Sequence, residues 1–186
     1  MPDVLIVYAS SEGQTAKIAD FLADRLRAQG LSPTVEDVAH LSPSVDLESY
    51  AGILVAASIH RAHHRDDIEN FVRRHAAHLD SRHSAFVSVS LSAAGGTDDL
   101  AVARTMADDF LAGTGWRPRF VHLAAGAFRY TKYGFFKRWA LRRIAEVKGA
   151  PTDTSVDHEL TDWEALGRFA DRFGAVLVSG PILRRA

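Results

Sequence analysis

Two stretches of this chain, Val4-Leu-Ile-Val-Tyr-Ala9 and Gly52-Ile-Leu-Val-Ala-Ala-Ser58, are apolar runs, and Ala85-Phe-Val-Ser-Val-Ser-Leu91 is a further strand-like stretch with two serines in it. Strands with one wet face alternate apolar and polar residues, whereas strands covered on both faces do not. These runs therefore predict strands of a parallel sheet with helices on either side. The intervening segments agree. Ile18, Phe21, Leu22 and Leu26 recur at helical spacing, and Gly30 ends that helix. Ile68, Phe71, Val72 and Leu79 predict a second helix, and the span from Leu100 to Leu111, closed near Gly113 and Gly115, predicts a third. Pro33–Val38 and Phe120–Gly126 complete a set of five strands. A last helix is expected from Thr161-Asp-Trp-Glu164 through Val176, with Thr161 placed to cap it. Strand and helix thus alternate five times, with one interruption before the last helix. This is the pattern of a doubly wound α/β sheet.

Charge is unevenly spread. The chain has 22 Lys+Arg against 23 Asp+Glu, a net charge of -1, which argues against a nucleic-acid-coating role. Yet residues 129–148 hold seven basic side chains (Arg129, Lys132, Lys137, Arg138, Arg142, Arg143, Lys148) and one acid, Glu146. The window 128–139 adds Phe128, Tyr130, Tyr133, Phe135, Phe136 and Trp139. A basic, aromatic, amphipathic segment reads as a surface for an anionic partner or a membrane, or as a solvated charged helix. Cysteine is absent, which excludes disulfides, thiolate metal sites and cysteine nucleophiles. No apolar run reaches the roughly 18 residues of a spanning helix. The opening Met-Pro-Asp-Val lacks the basic start of a secretory leader. The expectation is a cytoplasmic protein, peripheral on the inner face of the cell membrane.

Ligands of an open parallel sheet bind beyond the carboxyl ends of its strands. Three loops qualify: 10–15, 58–65 and 91–97. The first, Ser10-Ser-Glu-Gly-Gln-Thr15, enters a helix N-terminus with hydroxyls and one glycine, so it suits a phosphate. It is neither a Gly-x-x-x-x-Gly-Lys loop nor a Gly-x-Gly-x-x-Gly fingerprint. The other reading is that Ser10 or Ser11 simply caps the helix. In the second loop, His60, His63 and His64 lie near Asp66 and Asp67. Loop neighbours rarely converge on one ion, so no metal is expected. Surface histidines and contacts to a ligand both remain open. The chain lacks the Gly-x-Ser-x-Gly elbow of a serine hydrolase.

An apolar strand, a Ser/Thr-rich turn and a helix at the very start of a chain resemble flavodoxin. The closer resemblance is to the flavodoxin-like, quinone-dependent protoporphyrinogen oxidases. It rests on an ordered set: Glu12-Gly-Gln-Thr15, Ala57-Ser-Ile59 with its His-rich loop, Phe71-Val72 with His75, Ser84-Ala-Phe86, Trp116-Arg-Pro118, Gly126-Ala-Phe-Arg-Tyr130, and Thr152-Asp-Thr154 followed by Thr161-Asp-Trp163. Glu12 stands where ordinary flavodoxins carry Thr, and an acid there resembles the oxidase branch. The loop 60–64 has no Trp or Tyr to stack on a flavin, and Gly95-Gly96 departs from the oxidases.

The resemblance implies a flavodoxin-like five-stranded sheet, order 2-1-3-4-5, in one domain over 1–180. An insertion at about 128–160 and a tail at 181–186 complete the chain. It implies FMN bound non-covalently. Ser10, Ser11, Glu12, Gly13, Gln14 and Thr15 would line the phosphate. Ala57, Ser58, Ile59, His60 and Arg61, with Leu91, Ser92, Ala93, Ala94 and Gly95, would border the ring. The implied reaction is porphyrinogen dehydrogenation with a membrane quinone as acceptor, and Arg129, His60 and His63 are candidates for gripping the substrate or polarising the flavin. Alternatives are an electron-transfer flavodoxin, an NAD(P)H:quinone reductase, or a non-enzymatic membrane-docking module that lost its cofactor.

Overall fold

A computed structural model describes residues 1–60, 63–128 and 157–179. Arg61, Arg129, the basic-aromatic stretch, most of the expected insertion and the tail lie outside the described residues.

Strand β1 (Asp3–Ala9) is central. It pairs in parallel with β2 (Ser32–Asp37) on one side and β3 (Gly52–His60) on the other. Next come β5 (His83–Ser90) and β6 (Phe120–Ala125), so the parallel order is β2-β1-β3-β5-β6. This is the expected order of the five long strands. A two-residue strand β4 (His63–His64) folds back antiparallel on the end of β3, pairing Ile59 with His64 and His60 with His63.

The inner strands β1, β3 and β5 are dry on both faces, whereas the edge strands β2 and β6 are mostly half-buried. Alternate residues point to opposite sides. Val4, Ile6, Leu54, Ala56, Ala85 and Val87 face α1 (Gln14–Arg27) and α4 (Trp163–Ser179). Leu5, Val7, Ile53, Val55 and Phe86 face α2 (Asp66–Ser81) and α3 (Thr97–Thr114). Gly52 is needed where β3 passes α4: a Cβ there would come within 2.8 Å of Leu177 Cδ1.

Two expectations are corrected. The second β–α repeat contains no α-helix; a single 3-10 turn at Leu47–Ser49 stands in its place. Residues 38–51 include Pro43, which interrupts helix there. Thr161 does not cap α4. Asp162 takes that place, its Oδ1 accepting from Ala165 N at 2.9 Å.

At the far edge, β7 (Ala127–Phe128) pairs antiparallel with β8 (His158–Glu159), matching Ala127 to Glu159 and Phe128 to His158. Leu160 N donates to Gly126 O at 3.1 Å. The chain therefore leaves β6 and returns to α4 through one two-stranded root.

Candidate functional site

The turn 10–13 joins the carboxyl end of β1 to α1. Gly13 adopts φ +95°, and the space where its Cβ would lie is open. Ordinary residues pay for this left-handed conformation, so the glycine is required by the turn. Ser10 Oγ accepts from Gly13 N at 2.9 Å and thereby closes the turn rather than capping the helix. No side chain caps α1. The first N–H groups of a helix have no intrahelical acceptor and carry the positive end of its dipole. An uncapped N-terminus here presents donors to an anion.

The side chains divide into two groups. Gln14, 5% exposed, turns inward: its Nε2 donates to Thr161 Oγ1 at 2.8 Å. Thr161 Oγ1 in turn donates to Ala125 O at 2.8 Å. Lys17 Nζ meets Glu159 Oε2 at 2.7 Å, and Trp163 Nε1 donates to Glu159 Oε1 at 2.7 Å while its ring packs on Phe21. These bonds, that from Lys17 first, draw the Glu159 carboxyl below its usual range. Together they clamp the first turn of α1 to the end of β6 and the base of α4. Ser11 is exposed and Glu12 half-buried. Thr15, in the first turn of the helix, is only 1% exposed. An uncapped helix start behind an open glycine fits a phosphate monoester.

The two expected ring-bordering loops stand side by side, because Ser58 pairs with Val89 where β3 and β5 end. Ala57 is buried, Ser58 and Ile59 are half-buried, and His60 is exposed. Ser58 Oγ donates to Ala9 O at 3.3 Å, tying this loop to β1. Across from it, Leu91 is 38% exposed and Ser92–Ala94 form a short 3-10 turn. Ala93 N donates to Ser90 Oγ at 3.2 Å. Asp99 fills the space beside Gly95, so no side chain fits there without displacing it.

Histidines 60 and 63 face each other at the exposed end of the β3–β4 hairpin. His64 is different. It is buried against Phe86 and Phe110, and its Nε2 lies 3.2 Å from Ser88 Oγ. Burial, helped by neighbouring His63, depresses its pKa to about 4, so it is neutral at ordinary pH. Among the described residues no cluster of His, Asp and Glu could hold a metal ion.

Arg65, which sequence reasoning did not single out, donates from Nη1 to Ser10 O at 2.8 Å. No local pattern announces a partner 55 residues away. A cavity of about 230 Å³ lies between the chain after β2 and α2, bounded by Val38, Leu41, Val45, Asp67, Phe71 and Arg74. None of the expected ring-bordering residues lines it.

The sheet order, with the polar turn at the end of β1 and two flanking loops at the same carboxyl edge, defines a doubly wound α/β domain. Residues 5–155 match the family model described as flavodoxin domain, and the chain belongs to that family. FMN is accordingly its cofactor, and the turn fits it. The chain is 34% identical over 180 residues to protoporphyrinogen IX dehydrogenase (quinone) of Escherichia coli strain K12, covering 97% of this chain and 98% of that one. It is 33% identical over 181 residues to the protein of the same name from Leishmania major, covering 97% and 78%. Among solved structures, oxidised flavodoxin 1 from Bacillus cereus superposes with a TM-score of 0.55 at 18% identity, over 92% of this chain and 96% of that one. A short-chain flavodoxin associated with a bacterial microcompartment gives a TM-score of 0.59 at 15% identity, over 97% and 100%. These two likenesses speak for the fold.

Proposed function

We propose that this protein is an FMN-dependent oxidoreductase that dehydrogenates protoporphyrinogen IX and delivers the electrons to a quinone. The observation that carries the reading is its similarity, end to end, to the bacterial enzyme of that name. The α1 turn gives it a physical basis. Bound FMN supplies the hydride and electron chemistry. The chain supplies placement: backbone N–H groups of 11–15, with the hydroxyls of Ser11 and Thr15, bind the phosphate.

Ala57, Ser58, Ile59 and His60 on one loop, and Leu91, Ser92, Ala93, Ala94 and Gly95 on the other, border the ring and keep water from it. His60 and His63 offer imidazole N–H donors to the substrate's carboxylates, a role shared with Arg129, while Arg61 borders the ring. Residues 1–180 act as one domain. The basic-aromatic stretch 129–148 serves as a reversible membrane-surface contact, consistent with a quinone acceptor. Among the described residues no helix is long and apolar enough to cross a membrane.

The test is anaerobic. FMN-loaded protein is mixed with protoporphyrinogen IX, with and without a quinone, and porphyrin fluorescence is followed. A quinone-dependent rise above the spontaneous rate is expected; its absence overturns the reading. Charge reversal at Arg138, Arg142 and Arg143 should weaken binding to anionic vesicles, and unchanged binding removes the membrane contact.

A further inference from the structure

The turn at the end of β1 is short, contains a left-handed glycine and is closed from within by Ser10 Oγ and Gly13 N, and contacts from outside add to that hold. Three neighbours contact the carbonyls that lead into it. Val38 N donates to Tyr8 O at 2.9 Å, Ser58 Oγ to Ala9 O at 3.3 Å, and Arg65 Nη1 to Ser10 O at 2.8 Å. Only the last is charged and only the last reaches the turn itself. Arg65 is in turn fixed. It stands in extended conformation just before α2, its Nε donates to Asp67 Oδ1 at 3.2 Å, and its Nη2 pairs with Asp67 Oδ2. Asp67 Oδ1 also accepts from Ile68 N at 2.8 Å, which anchors the carboxylate to the first turn of α2. A forked guanidinium therefore spans from a rigid helix start to Ser10. Ser10 is thus held at both oxygens, at the carbonyl by Arg65 and at Oγ by Gly13 N.

We propose that Arg65 is a positioning residue for the cofactor's phosphate: it presets the 10–13 turn so that its amides already point where the monoester binds. The inference rests on the FMN reading of the site and adds to it a residue outside the turn. Arg65 acts by geometry rather than by field, because Asp67 cancels its charge at contact distance. A preset turn spends less free energy on ordering when ligand arrives. The guanidinium is suited to this because its planar fork satisfies a carboxylate and a carbonyl at once, which an ammonium does less well.

Riboflavin is the discriminating probe, since it keeps the ring and ribityl chain and lacks the phosphate. Dissociation constants for FMN and riboflavin are measured by flavin fluorescence on wild type, Arg65→Met, Arg65→Lys and Asp67→Asn. Arg65→Met should weaken FMN by about tenfold, the loss of one charge-assisted hydrogen bond, and riboflavin by under about threefold. Arg65→Lys should fall between wild type and Arg65→Met; it also serves if the methionine variant does not fold. Asp67→Asn should leave FMN affinity unchanged or weaker. Equal losses for both flavins, or no loss of FMN affinity, overturn the positioning role. So does tighter FMN binding in Asp67→Asn, which would make Arg65 a source of field. If wild type itself binds no FMN, the cofactor reading fails, and the inference with it.

Discussion

Gln14 and Thr161, 147 residues apart in sequence, share a buried 2.8 Å hydrogen bond that joins the start of α1 to the approach to α4. Thr161 also donates to Ala125 O, so one hydroxyl serves three elements. Replacing it by Val keeps the shape and removes both hydrogen bonds, although Gln14 keeps its bond to Glu159. Thr161→Val should lower unfolding free energy by about 2 kcal/mol, while Thr161→Ser should cost about half that or less. Urea unfolding followed by circular dichroism measures both. FMN affinity should fall in the valine variant as well, since the first turn of α1 loses its tie.

Gly13 and Gly30 form a matched pair. Both have positive φ, +95° and +80°, and both have open space where a Cβ would go. Alanine at either should cost about 1–2 kcal/mol of backbone strain. Only Gly13→Ala places a methyl in the turn proposed to hold the phosphate. Its FMN dissociation constant should rise well beyond that of Gly30→Ala at similar stability loss. Equal affinities in the two variants would argue that the anion does not bind at this turn.

His64 gives the fold a predictable weakness in acid. Its pKa is about 4 when folded and near 6.5 when exposed, so the unfolded chain binds the extra proton first. Its contribution is complete above pH 6.5 and is lost as pH falls toward 4, the direction required when unfolding takes up protons. Between pH 7.5 and pH 5 this one group should remove about 2 kcal/mol. His75, His83 and His122 are also lowered, chiefly by burial, and add to the same trend. His64→Gln should therefore flatten the pH dependence of urea unfolding without abolishing it. A slope identical to wild type would show that His64 titrates alike in the folded and unfolded chain.

Gly52 offers a test of core packing away from the cofactor. An alanine methyl there must displace Leu177 and Phe173, which close in from α4. Gly52→Ala should destabilise by about 1–3 kcal/mol through overpacking. Leu177→Ala in the same chain should recover part of that loss, because the two sites share one space.

What the sequence shows plainly is what local physics dictates. The runs at 4–9, 52–58 and 85–91 become β1, β3 and β5 because strands covered on both faces need no polar alternation. Helices α1, α2 and α4 follow their apolar spacing. Two-residue strands such as β4, β7 and β8 carry no readable period and escape such reasoning. Side-chain direction in the phosphate turn was equally hidden. Ser10 and Gln14 look alike as donors in the sequence, yet one closes its own turn and the other reaches Thr161. Arg65 reads as part of a charged stretch until the fold brings Ser10 beside it. The acid Asp162 takes the cap because Thr161 is already committed to Ala125.

The paired root at Ala127–Glu159 and Phe128–His158 has an evolutionary corollary. A detour whose two ends are stitched together costs the scaffold almost the same whether it is brief or long, since closure entropy grows only with the logarithm of length. New recognition modules can be spliced in at this junction while β6 and α4 keep their spacing. The spacing of β6 and α4 is thus insulated from whatever the junction carries.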